Sequence, residues 1–168
     1  MSELVIENSA ISSQSSAIEA TYTTLLNQIK AITAGEPDLI ANMANISAVL
    51  FNNMPQINWA GFYLHKENQL VLGPFQGQVA CIRIPLGKGV CGTAALTNEV
   101  QRIDDVHAFE GHIACDAASN SEIVLPVQHN GMVIAVLDID SPIFSRFSEH
   151  DQQFLEQVIT ILESTLAA

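Results

Sequence analysis

Two strongly β-forming runs, residues 122–128 and 132–140, meet at Asn130-Gly131. Asn-Gly supplies the positive φ angles of a tight hairpin turn. Both alternating faces of these runs are apolar: Ile123, Leu125 and Val127 alternate with Val124 and Pro126, and Val136 alternates with Ala135 and Leu137. A strand pair with no face to give to water must sit centrally in a sheet covered on both sides. The rest of the chain has to supply those covers. A helical pattern over about 16–33 carries Ile18, Tyr22, Leu25, Leu26 and Ile29 on one stripe, opened by a Ser16-x-x-Glu19 capping box and closed by Gly35. Pro37 suits the first turn of a second helix, which Asn52, Asn53 and Pro55 end. A third begins near Ser148, which can cap Asp151, and buries Phe154, Leu155, Val158, Ile159 and Leu162. Between them the period falls to two over 57–64 and 69–75, with brief strands at 80–84 and 100–103 and a short helix at about 90–98. Helices, then hairpin-linked strands, then a helix make an α+β chain with one antiparallel sheet.

The 168 residues fit one domain over 16–168, with 1–15 expected as a flexible, Ser-rich acidic segment. Six Lys and Arg against 18 Asp and Glu leave a net charge of −12, which argues against nucleic acid and an anionic membrane. No apolar run approaches the roughly 18 residues of a membrane span, and no signal-peptide pattern opens the chain. The cytoplasm is the expected compartment. The three cysteines, Cys81, Cys91 and Cys115, then start as thiols.

Chemistry-bearing residues fall into three groups. Cys91 stands where Gly89 leads into a helix, a position that favours thiolate, and Cys115 lies in a long loop over 104–120. The absence of C-x-x-C excludes a zinc ribbon and a thioredoxin-type motif, and His107 and His112 with two cysteines match no compact metal spacing, so no metal is expected. Asp138 and Asp140, two apart, share a strand face, and Glu122 opens the neighbouring strand at the same end. Three converging carboxylates repel, so at least one should stay protonated, as a proton donor or as a seat for an ammonium. Trp59 and Tyr63 share a face with Gly61 between them, which leaves a dent wide enough for a methyl group.

The segments N-W-A-G-F-Y (58–63), G-V-C-G-T-A (89–94), H-I-A-C-D (112–116), S-E-I-V-L-P (121–126) and V-L-D-I-D-S-P (136–142) together resemble the free methionine-(R)-sulfoxide reductases, small stand-alone GAF-domain enzymes. The resemblance implies a GAF fold, a six-stranded antiparallel sheet with helices on both faces, and commonly a homodimer. It implies free methionine (R)-sulfoxide as substrate, Cys115 as nucleophile, and Cys81 and Cys91 as the other two cysteines. It assigns substrate binding to Glu122, Asp138 and Asp140, methyl contact to Trp59, and receipt of the substrate carboxylate to the backbone of Ile113, Ala114 and Cys115. No cofactor is required. The chemistry agrees: a protonated sulfoxide is attacked by a thiolate, the resulting sulfenic acid condenses to a disulfide, and an external dithiol such as thioredoxin resets it. The disulfide should join Cys115 to Cys91 or Cys81, with Cys91 slightly favoured. The alternatives are a GAF small-ligand sensor without turnover and a thiol redox switch. A sensor normally adjoins an output domain, for which no length remains, and a switch has no need of Asp138, Asp140 and Trp59 together.

The site also constrains the hairpin register. A two-residue turn alone would set Glu122 opposite Ile139, on the wrong face. A three-residue loop over 129–131 would set Glu122 opposite Asp138, with Asp140 diagonal. The carboxylate end must therefore keep a register that places Glu122 with the two aspartates, through that loop or through a bulge lower down.

Overall fold

The computed structural model describes residues 3–113, 115 and 117–167, and side chains from residue 11 onward. Four helices and six strands follow in the order α1 (Glu3–Thr33), α2 (Leu39–Asn53), β1 (Trp59–Lys66), β2 (Gln69–Gly77), β3 (Arg83–Pro85), α3 (Gly89–Thr97), β4 (Gln101–Ile103), β5 (Ser121–His129), β6 (Met132–Ser141) and α4 (Glu149–Ser164). The strands form one antiparallel sheet in the order β3-β2-β1-β6-β5-β4. The hairpin β5–β6 thus lies inside the sheet, as its two apolar faces require.

The faces divide the chain by parity. Ala60, Phe62, Ile123, Leu125, Val127, Ala135, Leu137 and Ile139 project to one side, against Leu25 and Ile29 of α1, Met43, Ile46 and Leu50 of α2, and Phe154, Leu155, Val158 and Leu162 of α4. These side chains are almost wholly buried, and each large one contributes roughly 1.5–3 kcal/mol by leaving water. Trp59, Tyr63, Val124 and Val136 project to the other side, under α3 and the chain around it. That second face carries the acidic residues.

Two helix starts differ from the sequence reading and one agrees with it. α1 starts at Glu3, not Ser16, because no Gly or Pro interrupts the chain until Gly35. Ser16 is interior and its hydroxyl donates back to the Ser13 carbonyl (3.1 Å), so the capping-box signature is not used. Residues 3–15, expected as a flexible segment, are helical, and residues 11–20 of this helix are exposed or half-buried. α2 is capped by Asp38, whose carboxylate accepts from the Ala41 amide (2.9 Å), so Pro37 precedes the cap. α4 does use its capping box: Ser148 accepts from the Asp151 amide, and Asp151 accepts from the Ser148 amide.

The β5–β6 turn is a two-residue turn with His129 opposite Met132. Asn130 and Gly131 both have positive φ, 51° and 78°. A bulge follows at once. Gln128 pairs with Val133, but Val127 pairs with Ala135, so Ile134 is the extra residue. The register at the far end becomes Glu122 opposite Asp140 and Val124 opposite Asp138. The face assignment expected for the three carboxylates is thus met by the bulge. The pair is Glu122–Asp140, and Asp138 is the diagonal neighbour.

Candidate functional site

The register lays the site out as a grid. Trp59, Asp140 and Glu122 stand in one row across β1, β6 and β5, with Ile103 of β4 beside them. Gly61, Asp138 and Val124 form the next row, and Tyr63, Val136 and Pro126 the third. Three carboxylates on adjacent central strands cannot avoid one another. Glu122 and Asp138 are each only 6 % exposed, and Asp140 is half-buried.

α3 crosses above this grid and sets Cys91 over the acids, with its thiol donating to Glu122 Oε1 at 3.8 Å. Cys91 is 4 % exposed. Burial, then the charges of Asp138 and Glu122, push its thiol well above the ordinary range. The helix-start thiolate expected from sequence is therefore not formed, because burial beside carboxylates outweighs a short helix dipole. Burial also pushes Glu122 well above the carboxylate range, with Asp138 and Asp140 adding to it. Asp138 is raised to about 6 by burial, against hydrogen bonds from Glu122 and Cys91 that lower it. Among the described residues, oxygen Oδ1 of Asp138 has no hydrogen-bond partner.

The aromatic wall is closed rather than dented. Trp59 stacks on Tyr63 at 5.8 Å between ring centroids and on Phe75 at 5.2 Å. Phe75 fills the space over Gly61, where any Cβ would press on Phe75 Cα at 2.7 Å. Glycine is needed at 61 for the close approach of β2, not as a recess. The indole N–H of Trp59 donates to the Gln78 carbonyl (3.1 Å) and holds the ring in place.

The 104–120 connection forms the lid. A 3₁₀ turn, Val106–Ala108, is capped by Asp105, and both ends of the loop are tied at Asn120. The Val106 amide donates to the Asn120 carbonyl (3.0 Å), His107 Nε2 meets Asn120 Oδ1 (2.8 Å), and the Asn120 amide donates to Ser141 (2.8 Å). From this frame the loop carries Cys115 across the mouth of the site to Cys81, with which it forms a disulfide. Their Cα atoms are 5.3 Å apart, and both residues are half-buried. The slight preference for Cys91 as Cys115's partner is corrected: Cys91 is sunk among the carboxylates, whereas Cys81 stands on the rim beside the loop. The Cys115 amide donates to the Ile113 carbonyl (3.0 Å), so in this disulfide form it is turned away from any ligand. Ile113 packs over Gly89, and Ala114 lies outside the described residues.

Together these groups enclose a cavity of about 40 Å³, lined by Trp59, Tyr63, Cys91, Ile113, Cys115, Glu122, Asp138 and Asp140 among others. Cys81 is bonded at its rim. Val79, Ala80, Lys88, His112 and Ser119 also line it, and sequence reasoning had singled out none of these as contacts. Only Lys88 and His112 carried a signal: basic residues are scarce in this chain, and both sit beside the Gly89 and Cys115 motifs. His112 is pushed below its ordinary range by burial, then by His107.

A family model described as GAF domain matches residues 18–166. The chain is 57% identical over 146 residues to "Free methionine-R-sulfoxide reductase" of Escherichia coli, covering 87% of this chain and 88% of that one. It is 56% identical over 159 residues to "Protein YtsP" of Bacillus subtilis, covering 94% and 98%. Among solved structures it superposes on the fRMsr of Staphylococcus aureus in its reduced form with a TM-score of 0.85, and in complex with substrate with 0.84. Both are 51% identical to it and cover 87% of this chain and 95% of theirs.

Proposed function

This chain belongs to the GAF domain family, among the free methionine-R-sulfoxide reductases, and on that footing we propose that it reduces free L-methionine (R)-S-oxide to L-methionine with electrons from thioredoxin. The observation that carries the reading is the Cys81–Cys115 disulfide spanning the rim of a cavity floored by buried acids. A sulfoxide sulfur becomes electrophilic only when its oxygen is protonated or hydrogen-bonded. Glu122, the carboxyl that burial and two neighbouring acids hold protonated, is the proton donor in this scheme. Asp138, with an oxygen that lacks a donor, and Asp140 receive the substrate ammonium. Trp59 and Tyr63 wall the methyl group, and the 113–115 backbone faces the carboxylate once the disulfide opens.

Cys115 thiolate attacks the sulfoxide sulfur. The oxygen leaves to Cys115 as sulfenic acid and methionine departs. Cys81 thiol then displaces water and forms the disulfide seen here. A dithiol outside the protein reduces that disulfide by exchange, taking away two electrons' worth of oxidation as its own disulfide. The half-buried rim position of both sulfurs supports access by such a partner. Cys91, placed with the resolving thiols by sequence, stays outside this relay because it is buried and held as a thiol. The resemblance also makes a homodimer the expected assembly, and the exposed Ile11 and Ile18 of α1 offer apolar surface for it. Reliance on thioredoxin fits a cytoplasmic setting.

The test is methionine formation from the free (R)-sulfoxide with thioredoxin, its reductase and NADPH, beside single turnover of the pre-reduced enzyme. Wild type should do both. Cys115→Ser should lose even the single turnover, by about 1,000-fold or more. Cys81→Ser should keep the first turnover and lose recycling. Acetylation of the substrate amine should remove most activity. Normal single-turnover release by Cys115→Ser would refute the scheme.

A further inference from the structure

Cys91 is a buried thiol that the proposed relay does not use. Its Sγ, one oxygen of Glu122 and one of Asp138 all lie within 4.8 Å of one another, and all three residues are buried. None of the five histidines joins this group. A second observation points to a ligand: Asp138 Oδ1, in a residue 6 % exposed and lining the cavity, has no partner among the described residues. A buried carboxylate oxygen without a donor costs free energy that a cation would recover.

We propose that Cys91, Glu122 and Asp138 form a binding site for a soft divalent cation, Zn²⁺ in particular. One thiolate and two carboxylates match zinc's preference for sulfur and oxygen donors, while the hard cations Mg²⁺ and Ca²⁺ take oxygen ligands and gain nothing from the thiolate. Three protein ligands leave a fourth tetrahedral position, which faces the cavity. On binding, the cation displaces the protons held by the thiol and the protonated acid, and these pass to solvent. Nothing is oxidised or reduced. The disulfide uses Cys81 and Cys115 only, so Cys91 remains a thiol in the oxidised protein. If the proposed function holds, zinc and the substrate ammonium share Asp138, and zinc is an inhibitor that competes with substrate.

The experiment uses the full-length protein carrying the Cys81–Cys115 disulfide, in which Cys91 is the remaining thiol. Zn²⁺ is titrated against a chromogenic chelator, and Co²⁺ binding is followed by its thiolate charge-transfer absorption. One equivalent should bind, with the thiolate band present, and affinity should fall about 100-fold in Cys91→Ala. Cys91→Ser and Asp138→Asn, which keep the shape of the site, should also weaken it. No binding by the oxidised protein, unchanged binding by Cys91→Ala, or a cobalt spectrum without the thiolate band would overturn the proposal. Adding free methionine (R)-sulfoxide to the zinc-loaded, reduced Cys115→Ser variant, whose loop is released from Cys81 and which cannot turn the sulfoxide over, separates the two readings. Displacement of zinc supports both, whereas zinc that binds through Cys91 but is indifferent to the sulfoxide upholds the metal site and counts against the ammonium placement.

Discussion

Two aspartates in this molecule are buried to nearly the same extent, Asp151 at 5 % exposed and Asp138 at 6 %, yet their surroundings are opposite. Asp151, at the start of α4, is fully supplied with donors. Tyr22 of α1 donates to Oδ1. Arg146 Nη1 (2.9 Å) and the amide (2.8 Å) and hydroxyl (3.0 Å) of Ser148 donate to Oδ2. Arg146 also donates to the Pro55 carbonyl (2.9 Å), and Tyr22 stacks on Phe154 at 4.1 Å. That carboxylate ties α1, α4 and the chain before them together. Asp138 is surrounded by other acids and a thiol, and one of its oxygens has no donor among the described residues. A buried acid with donors on both oxygens holds the fold together. A buried acid left short of donors weakens the fold and leaves the chemistry to something that arrives.

The sharpest way to break this contrast is to neutralise each acid in turn. Glu122→Gln and Asp138→Asn should each lower kcat/KM for the free sulfoxide by roughly 100-fold or more, the usual scale for loss of a proton donor or a charged anchor. Urea unfolding should show these variants as stable as wild type or more so, since each removes a buried, poorly compensated acid. If either unfolded several kcal/mol more easily, Asp138 and Asp151 would be the same kind of residue.

Asp151→Ala should do the reverse. Breaking a buried, hydrogen-bonded ion pair that also caps a helix should cost about 3–5 kcal/mol of stability. At a temperature where the variant remains folded, its kcat should stay within about twofold of wild type, because no part of this cluster lines the cavity.

pH separates the two clusters more finely. Asp138 keeps its proton to about pH 6 in the folded chain, against an ordinary 3.8. Between those values the native state binds more protons than the unfolded state, so stability from this group is fully present below about pH 4 and lost as pH rises through about 6. Glu122 extends the same trend upward. Chemical denaturation from pH 4 to 7 should show this decline, flattened in Asp138→Asn, and an unchanged slope in that variant would mean that Asp138 is not held protonated.

The smallest effect should come from Tyr22→Phe. The ring keeps its stacking on Phe154 and only the hydroxyl is lost, so about 1–2 kcal/mol should disappear, with turnover unaffected. A loss as large as that of Asp151→Ala would make the phenol, rather than Arg146, the main partner of the acid.

Local patterns carried much of this protein in the sequence itself. Period-two alternation and the Asn130-Gly131 turn specified the central hairpin, and the spacing of Asp138 and Asp140 put both on one face, because side-chain direction along a strand depends only on parity. Ser148 and Asp151 announced the start of α4 because a cap is made within one turn. The capping-box letters at Ser16 and Glu19 read the same way but stand mid-helix, since such a box marks a start only where something ends the helix before it. Tertiary structure decided the rest. The bulge at Ile134 set Glu122 opposite Asp140, the packing of α3 onto the acids made Cys91 a buried thiol, and the fold of the 104–120 connection chose Cys81 for Cys115. The second donor set of Asp151 came from Tyr22, 129 positions away in the chain. Register shifts, burial and cross-links depend on which distant surfaces meet, and no local spacing in a single chain records that.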